Sequence, residues 1–176
     1  MPQHIANVAA LRRYLQRGGV IAYPTESCYG LGCDPRNRLA VQRLLRLKRR
    51  PSHKGLLVVA AELAQVTRFV QPPTPAQIEI LEKHWPGPYT FLFSAKKNTP
   101  KNVTGRHSSL GVRVSAHPTV QALTASLGPL TSSSANLAGA RALKTAAAVS
   151  RIFGSRVRLI PGRIGKRKRP SQIIDL

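Results

Sequence analysis

Residues 20–27 read VIAYPTES, an apolar run that stops at a proline and three polar residues. A short run of consecutive apolar residues predicts a strand that is buried on both faces of a sheet. On its N-terminal side, Ile5, Val8 and Leu15 share one face of a predicted helix, which ends at the Gly-Gly pair of residues 18–19. A helix followed by such a strand favours an α/β architecture.

The alternation of helix and strand continues along the chain. Further helices are predicted over residues 38–49, 61–69, 75–84, 118–127 and 146–153. Further strands are predicted over residues 56–59, 89–93, 110–114, 129–131, 157–160 and 172–174. Because no helix is predicted between residues 93 and 110, some strand pairs should be antiparallel. We therefore expect one domain, residues 1–176, with a twisted, mixed parallel and antiparallel sheet of about seven strands flanked by helices.

The charge balance is extreme, with 28 Lys and Arg residues against 6 Asp and Glu residues and a net charge of +22. Such a surface attracts polyanions at long range. Nucleic acid is the first class of partner that this charge suggests, and phosphate-bearing metabolites are the second. A basic proteome or an adaptation for solubility would give the same composition.

Acidic side chains are too few for several kinds of catalytic site. The carboxylate side chains are those of Glu26, Asp34, Glu62, Glu79, Glu82 and Asp175. This scarcity disfavours a glycosidase-like carboxylate pair and a Mg²⁺ site made only of protein groups. If Mg²⁺ takes part, we expect substrate phosphates and water to hold it, and we expect no metal bound mainly by the protein.

The cysteines and the apolar runs place further limits. Cys28 and Cys33 have no further Cys or nearby His to complete a zinc site, so we interpret both as buried thiols. No apolar run approaches the roughly 20 residues of a membrane helix, and residues 1–4 do not resemble the start of a signal peptide. We therefore expect a cytoplasmic protein that does not enter a membrane.

Two polar motifs lie far apart in the sequence. Residues 48–51 read KRRP at the end of a predicted helix, and residues 131–136 read TSSSAN directly after a predicted strand. An arginine can bind phosphate through two hydrogen bonds, and a lysine acts as a mobile point charge. Hydroxyls and an amide suit phosphate and adenosine. A solvated helix end and a polar turn would give the same patterns without any ligand.

Taken together, three short motifs resemble the YrdC/TsaC family, the threonylcarbamoyl-AMP synthases of tRNA modification. That family is marked by Pro-Thr-Glu at a strand end, by Lys-x-Arg and by Ser-x-Asn. The three motifs occur here in order, as Pro24-Thr25-Glu26, Lys48-x-Arg50 and Ser134-x-Asn136. The resemblance runs from about residue 17 to residue 175.

The resemblance implies a YrdC-like fold and a specific reaction. L-threonine and bicarbonate give a carbamate, whose oxygen attacks the α-phosphate of ATP to form threonylcarbamoyl-adenylate and pyrophosphate. Catalytic roles are implied for Lys48, Arg50, Ser134 and Asn136. ATP contacts are expected from these four residues and from Lys54, Ser109 and Ser132. Threonine contacts are expected from Thr25, Ser27, Arg113 and Ser171.

The charged residues near the expected threonine site suggest particular partners. Arg113 lies on an otherwise apolar strand and must reach an anion or solvent, and the threonine carboxylate would provide that anion. Glu26 is the nearby acid that could meet the threonine ammonium group. The resemblance also implies that the product passes to the TsaD, TsaB and TsaE proteins.

Two other hypotheses remain open. One is a non-catalytic module of the same fold that binds double-stranded RNA or tRNA, or associates with the ribosome. Part of its expected RNA footprint is one basic loop, through Arg163, Lys166, Arg167, Lys168 and Arg169. The sequence leaves open whether this loop closes over the active site. The other hypothesis is a carbamoyl-transfer domain of a hydrolase-maturation protein, but the cysteine-rich zinc modules of that class are not matched by two lone cysteines.

Overall fold

The computed structural model describes residue 5 and residues 7–176, and one eight-stranded sheet forms its centre. The strands are β1 Ile21–Pro24, β2 Tyr29–Gly32, β3 Leu57–Ala60, β4 Tyr89–Ser94, β5 Ser109–Val114, β6 Leu130–Ser134, β7 Arg158–Leu159 and β8 Gln172–Asp175. They lie side by side in the order β7-β1-β2-β6-β3-β5-β4-β8. The pairs β1–β7, β3–β5 and β4–β8 are parallel, and the other neighbouring pairs are antiparallel. The predicted mixed sheet is confirmed.

The α-helices of the described residues begin largely where the sequence predicts. They are α1 Val8–Gln16, α2 Arg38–Lys48, α3 Pro75–His84, α4 Lys101–Thr104, α5 Pro118–Leu127 and α6 Ala146–Phe153. The prediction of no helix between residues 93 and 110 is wrong, because the single-turn helix α4 forms there, although β4 and β5 do pair antiparallel. Asn37, Thr74 and Thr145 each accept a hydrogen bond from a backbone N–H in the first turn of the helix that follows. None of these helices is long and apolar enough to cross a bilayer.

The helices pack on both faces of the sheet. On one face, α1 and α5 cover a cluster that includes Ile21 and Tyr23 of β1. On the other face, α2 and α6 cover a cluster that includes Val20 and Ala22. All four of these residues are completely buried, so the prediction that this segment is buried on both faces is confirmed. The expectation of a single domain stays a prediction.

The sheet has one strand more than predicted, because the sequence interpretation missed β2. This strand reads YGLG, and two glycines weaken the strand signal. Gly32 is required by the close approach of β6, since a Cβ at this position would lie 2.4 Å from the backbone oxygen of Thr131. The predicted helix over residues 61–69 is also wrong, because only a 3-10 turn forms there, at Leu63–Val66.

Candidate functional site

A cavity of about 530 Å³ opens on one face of the sheet, where β6, β3, β5, β4 and β8 lie side by side. Alternate residues of β5 face it, since Ser109, Gly111 and Arg113 line the cavity while Leu110 and Val112 are buried in the core. Most residues predicted for ATP or threonine converge on this cavity. Those that line it are Thr25, Ser27, Arg50, Lys54, Ser109, Arg113, Ser132, Ser134 and Ser171.

Lys48 lies behind the wall of the cavity and is only 3% exposed. Its ammonium group donates hydrogen bonds to the backbone oxygens of Ser134 and Asn136 and to Asn136 Oδ1, the last two at 3.1 and 2.8 Å. An ammonium group has three N–H donors, so all of them are in use. The expectation that Lys48 acts as a mobile point charge is therefore wrong, because Lys48 belongs to the buried face of α2. Its assignment to the active site stays a prediction.

The same hydrogen-bond network fixes the end of β6. Ser134 Oγ donates to Asn136 Oδ1 at 2.8 Å, and Asn136 Nδ2 donates to the backbone oxygen of Ala140 at 2.6 Å. Burial, followed by the charge of Arg50, lowers the pKa of Lys48 to about 8. The ammonium group is therefore still mainly charged at neutral pH. Asn136 does not line the cavity but connects Lys48 to Ser134, which does.

Arg50 and Lys54 provide the positive charge in the cavity wall itself. Arg50 is half-buried and lines the cavity, and its Nε donates to the backbone oxygen of Gly55 at 3.0 Å. Burial lowers the pKa of Arg50, but a guanidinium group stays charged in proteins. No Asp or Glu among the described residues lines the cavity, so this end has a net positive charge.

Arg113 forms an ion pair with Glu26 at another part of the wall, with side chains that are 13% and 15% exposed. Glu26 Oε1 also accepts hydrogen bonds from Ser115 Oγ at 2.7 Å and from the backbone N–H of Ala116 at 3.1 Å. Burial raises the pKa of Glu26, but the charge of Arg113 and the hydrogen bonds outweigh it and bring the pKa below its usual range. Glu26 does not line the cavity, so the expectation that it meets an ammonium group is wrong.

The hydroxyls predicted to contact threonine are held by contacts within one turn and by one hydrogen bond between distant segments. Thr25 Oγ1 donates to the backbone oxygen of Cys28 at 2.8 Å, within the turn between β1 and β2. Ser27 Oγ lies 3.9 Å from Cys28 Sγ in the same turn. Ser171 Oγ accepts a hydrogen bond from Thr90 Oγ1 at 3.0 Å, just before β8. The turn and the start of β8 thus place these hydroxyls in the cavity wall.

The basic loop, residues 163–169, lies beside the cavity. The backbone N–H of Gly165 donates to the oxygen of Thr25 at 2.8 Å, and that of Arg167 donates to the oxygen of Glu26 at 3.0 Å. The loop is therefore attached to the Pro-Thr-Glu segment that forms part of the wall. None of its basic side chains lines the cavity, and all of them are exposed, namely Arg163, Lys166, Arg167, Lys168 and Arg169.

The sequence interpretation missed several residues of the cavity wall. The polar ones include Cys28, Thr104, His107 and Ser133, and the apolar ones include Leu56, Leu57, Leu92 and Ile173. The apolar residues look like core positions in the sequence, and the register of the sheet decides that they face the cavity. In the sequence, only the position of His107 two residues before Ser109 could have suggested that His107 lines the cavity.

The two cysteine thiols lie in different environments. Cys33 is buried, so its interpretation as a buried thiol is confirmed, and burial raises its pKa to about 12. Cys28 is only half-buried and lines the cavity, so its interpretation as a buried thiol is wrong. Across the part of the chain that the structure describes, no three His, Cys, Asp or Glu side chains are grouped so that they could hold a metal ion.

Comparison with known proteins agrees with this arrangement. A family model named for Sua5, YciO and YrdC, and described as "Telomere recombination", matches residues 13–176. The chain belongs to this family. A Sua5/YciO/YrdC relative, the threonylcarbamoyl-AMP synthase of Chromobacterium violaceum, is 52% identical over 166 residues, which cover 94% of this chain and 86% of that protein.

Solved structures of the Sua5/YciO/YrdC family share the fold. P. abyssi Sua5 complexed with L-threonine superposes with a TM-score of 0.89 at 26% identity over 96% of this chain. The present chain spans 50% of the length of that protein. E. coli YciO gives a TM-score of 0.82 at 27% identity and is covered over 83% of its length. The predicted family and its YrdC-like fold are confirmed.

Proposed function

We propose that this chain is an L-threonylcarbamoyladenylate synthase that serves the N6-threonylcarbamoyladenosine modification of tRNA position 37. It forms threonylcarbamoyl-AMP and pyrophosphate from L-threonine, bicarbonate and ATP. The observation that carries the proposal is one cavity lined by Arg50, Lys54, the hydroxyls of β6, and Arg113. Relatives that are named threonylcarbamoyl-AMP synthase, at about 50% identity over most of the chain, support it.

The phosphate end of the cavity suits the chemical step. A carbamate oxygen forms a bond to the α-phosphorus of ATP while the bond from that phosphorus to the pyrophosphate oxygen breaks. Both reactants are anionic, so the wall must neutralise charge and hold them in line. Arg50 and Lys54 contribute positive charge, and Ser132 and Ser134 place hydroxyls in the wall beside the phosphates. The O–H of Ser134 would turn from Asn136 Oδ1 to donate to a phosphate oxygen. Lys48 holds the end of β6 in place and adds charge from behind.

The other end of the cavity suits an amino acid. The guanidinium group of Arg113 can bind the threonine carboxylate, while Glu26 keeps that guanidinium oriented. Thr25 and Ser27 offer hydroxyls close to it, and Ser171 approaches from the start of β8. Because the negative charge of Glu26 balances the positive charge of Arg113, this end can bind one carboxylate but does not attract a polyanion such as a triphosphate.

Mg²⁺ would enter with ATP. The cavity wall has no carboxylate, so phosphate oxygens and water would supply most of its ligands, with serine hydroxyls as the available protein donors. Bound there, Mg²⁺ would neutralise charge on the pyrophosphate that leaves. We also propose that TsaD, TsaB and TsaE receive the product, and that the protein acts in the cytoplasm.

The test is pyrophosphate release from ATP in the presence of L-threonine, bicarbonate and Mg²⁺. We expect threonine to exceed serine by about fivefold or more, because one buried methyl group contributes roughly 1 kcal/mol. Equal rates with serine and glycine would contradict the assignment of the threonine pocket. No pyrophosphate with any amino acid would contradict the enzyme.

A second candidate function is a non-catalytic protein that binds tRNA or double-stranded RNA. The net charge of +22 favours RNA binding, and the exposed basic loop of residues 163–169 is one proposed contact. RNA binding alone does not separate the two candidates, because a synthase that serves tRNA modification can also bind RNA. Pyrophosphate release would contradict the non-catalytic candidate.

A further inference from the structure

A second basic surface lies on the outer side of α2, away from the buried residues of that helix. Two adjoining grooves, of about 750 and 490 Å³, share Gln42, Leu45 and Ser52 in their walls. The cations that line these grooves, apart from Arg36 and Arg50, are Arg38, Arg46, Arg49, Lys101 and Arg106, and we call these five residues the arginine face. All five are exposed.

The charges of the arginine face are not balanced by acidic groups. No Asp or Glu of the described residues lines either groove. The nearby Asp34 is already paired with Arg36 at 2.8 Å. Arg43, on the neighbouring side of α2, donates to the backbone oxygen of Gly18 at 2.8 Å. Within the described chain, the side-chain nitrogens of the five arginine-face residues make no hydrogen bond or ion pair, so they are available to a ligand.

Helix geometry arranges these cations in a row. Arg38, Gln42 and Arg46 follow each other at four-residue spacing, and Arg49 continues the same side beyond the helix end. With a rise of about 1.5 Å per residue, Arg38 and Arg46 lie about 12 Å apart along the axis. Asn37 caps the helix, and the inner face of the helix packs in the core, so the backbone that carries these cations is held in place. A row of this length fits successive phosphates of one nucleic acid strand.

The chemistry of the face favours RNA over a protein partner. The cores of protein interfaces are enriched in aromatic residues, and no Phe, Tyr or Trp of the described chain lines either groove. The one large exposed apolar residue of α2 is Leu39, which is 72% exposed and does not line these two grooves. Arginine guanidinium groups instead match the geometry of phosphate.

Arg50 connects this surface with the catalytic cavity. It lines both the smaller groove and the cavity, and residues 52–54 continue from one to the other. We propose that the arginine face binds the phosphate backbone of a structured RNA beside the mouth of the cavity, and that it contributes more to this binding than the basic loop does. The inference rests on the proposed function, because for an enzyme of tRNA modification the structured RNA is tRNA.

The experiment compares two variants of equal charge. Arg38→Gln, Arg46→Gln and Arg49→Gln remove three charges from the arginine face, and Lys166→Gln, Arg167→Gln and Lys168→Gln remove three from the loop. Binding of an unmodified tRNA transcript is followed by fluorescence anisotropy over a series of salt concentrations. Thermal melting checks that both variants fold, and pyrophosphate release without RNA tests the proposed function separately.

We expect the arginine-face variant to bind tRNA about tenfold or more weakly. The slope of log affinity against log salt concentration should become less steep by about two to three units. The loop variant should change both quantities less, and pyrophosphate release should stay near wild type in both. Equal losses in the two variants, or a larger loss in the loop variant, would overturn the proposal. A competition experiment gives a second way to overturn it. If poly-L-glutamate displaces the labelled tRNA as effectively, per charge, as unlabelled tRNA does, the face fits an acidic protein partner instead.

Discussion

The two charged ends of the cavity use their cations differently. At the phosphate end, Lys48 is bonded to oxygens that carry no net charge, so its positive charge remains to act on a ligand beside Arg50. At the amino-acid end, Arg113 is paired with Glu26, and the two charges cancel. The first end is suited to a polyanion such as a triphosphate. The second is suited to one carboxylate whose position matters more than its charge.

The largest effect is expected from Arg113→Ala, because it leaves the mostly buried carboxylate of Glu26 without a counter-charge. Removing one partner of a buried pair costs about 3–5 kcal/mol of unfolding free energy. Chemical denaturation measures this loss. The double variant Glu26→Gln/Arg113→Ala should recover much of the stability, but not threonine-dependent pyrophosphate release. If Arg113→Ala is as stable as wild type, the ion pair does not hold the amino-acid end together.

Lys48→Met is expected to lower stability by about 2–4 kcal/mol. The change keeps the apolar stem but removes the donor to the partly buried backbone oxygens of Ser134 and Asn136, at about 1–3 kcal/mol each. Turnover by the folded protein should fall as well, since the end of β6 loses its support. Denaturation and single-turnover assays on the same sample measure both. Normal stability with lost turnover would instead identify Lys48 as a direct phosphate ligand.

Arg50→Ala is expected to spare stability and lower kcat/KM by about 10- to 150-fold. This range corresponds to one charge-assisted hydrogen bond of about 1.5–3 kcal/mol to phosphate. The matched control is Arg46→Ala, an exposed arginine of α2 outside the cavity, which should leave kcat/KM unchanged. Equal losses in both variants would mean that long-range attraction, and not contact in the cavity, explains the role of Arg50.

The smallest effect on stability is expected when the pH is lowered. The pKa of Glu26 lies below its unfolded value, so its ionised form stabilises the fold above the usual glutamate pKa of about 4.3, and this stabilisation disappears as pH falls through the lower folded value. The difference in unfolding free energy between wild type and Glu26→Gln should therefore shrink as pH is lowered through that window. A difference that stays constant down to acid denaturation would show that Glu26 does not titrate in this way.

Much of the fold could be predicted from local patterns. The caps at Asn37, Thr74 and Thr145 lie within a few residues of the groups they satisfy, so the sequence alone predicted where three helices begin. The strand after residue 20 has no polar side chain until it ends, which predicted burial on both faces. By contrast, β2 is short and half glycine, and only its pairing with β1 and β6 makes it a strand.

The sequence by itself determined which kinds of residue form the site, since its ordered motifs contain the cations and hydroxyls that line the cavity or stand behind it. The tertiary structure decided what each cation does. Lys48 meets Ser134 across 86 residues of chain, and Glu26 meets Ser115 across 89. The direction of a long side chain at the end of a helix depends on which face that helix buries and on which acceptors the sheet brings within about 3 Å. Those acceptors are placed by the packing of distant segments, so local periodicity has no information about them.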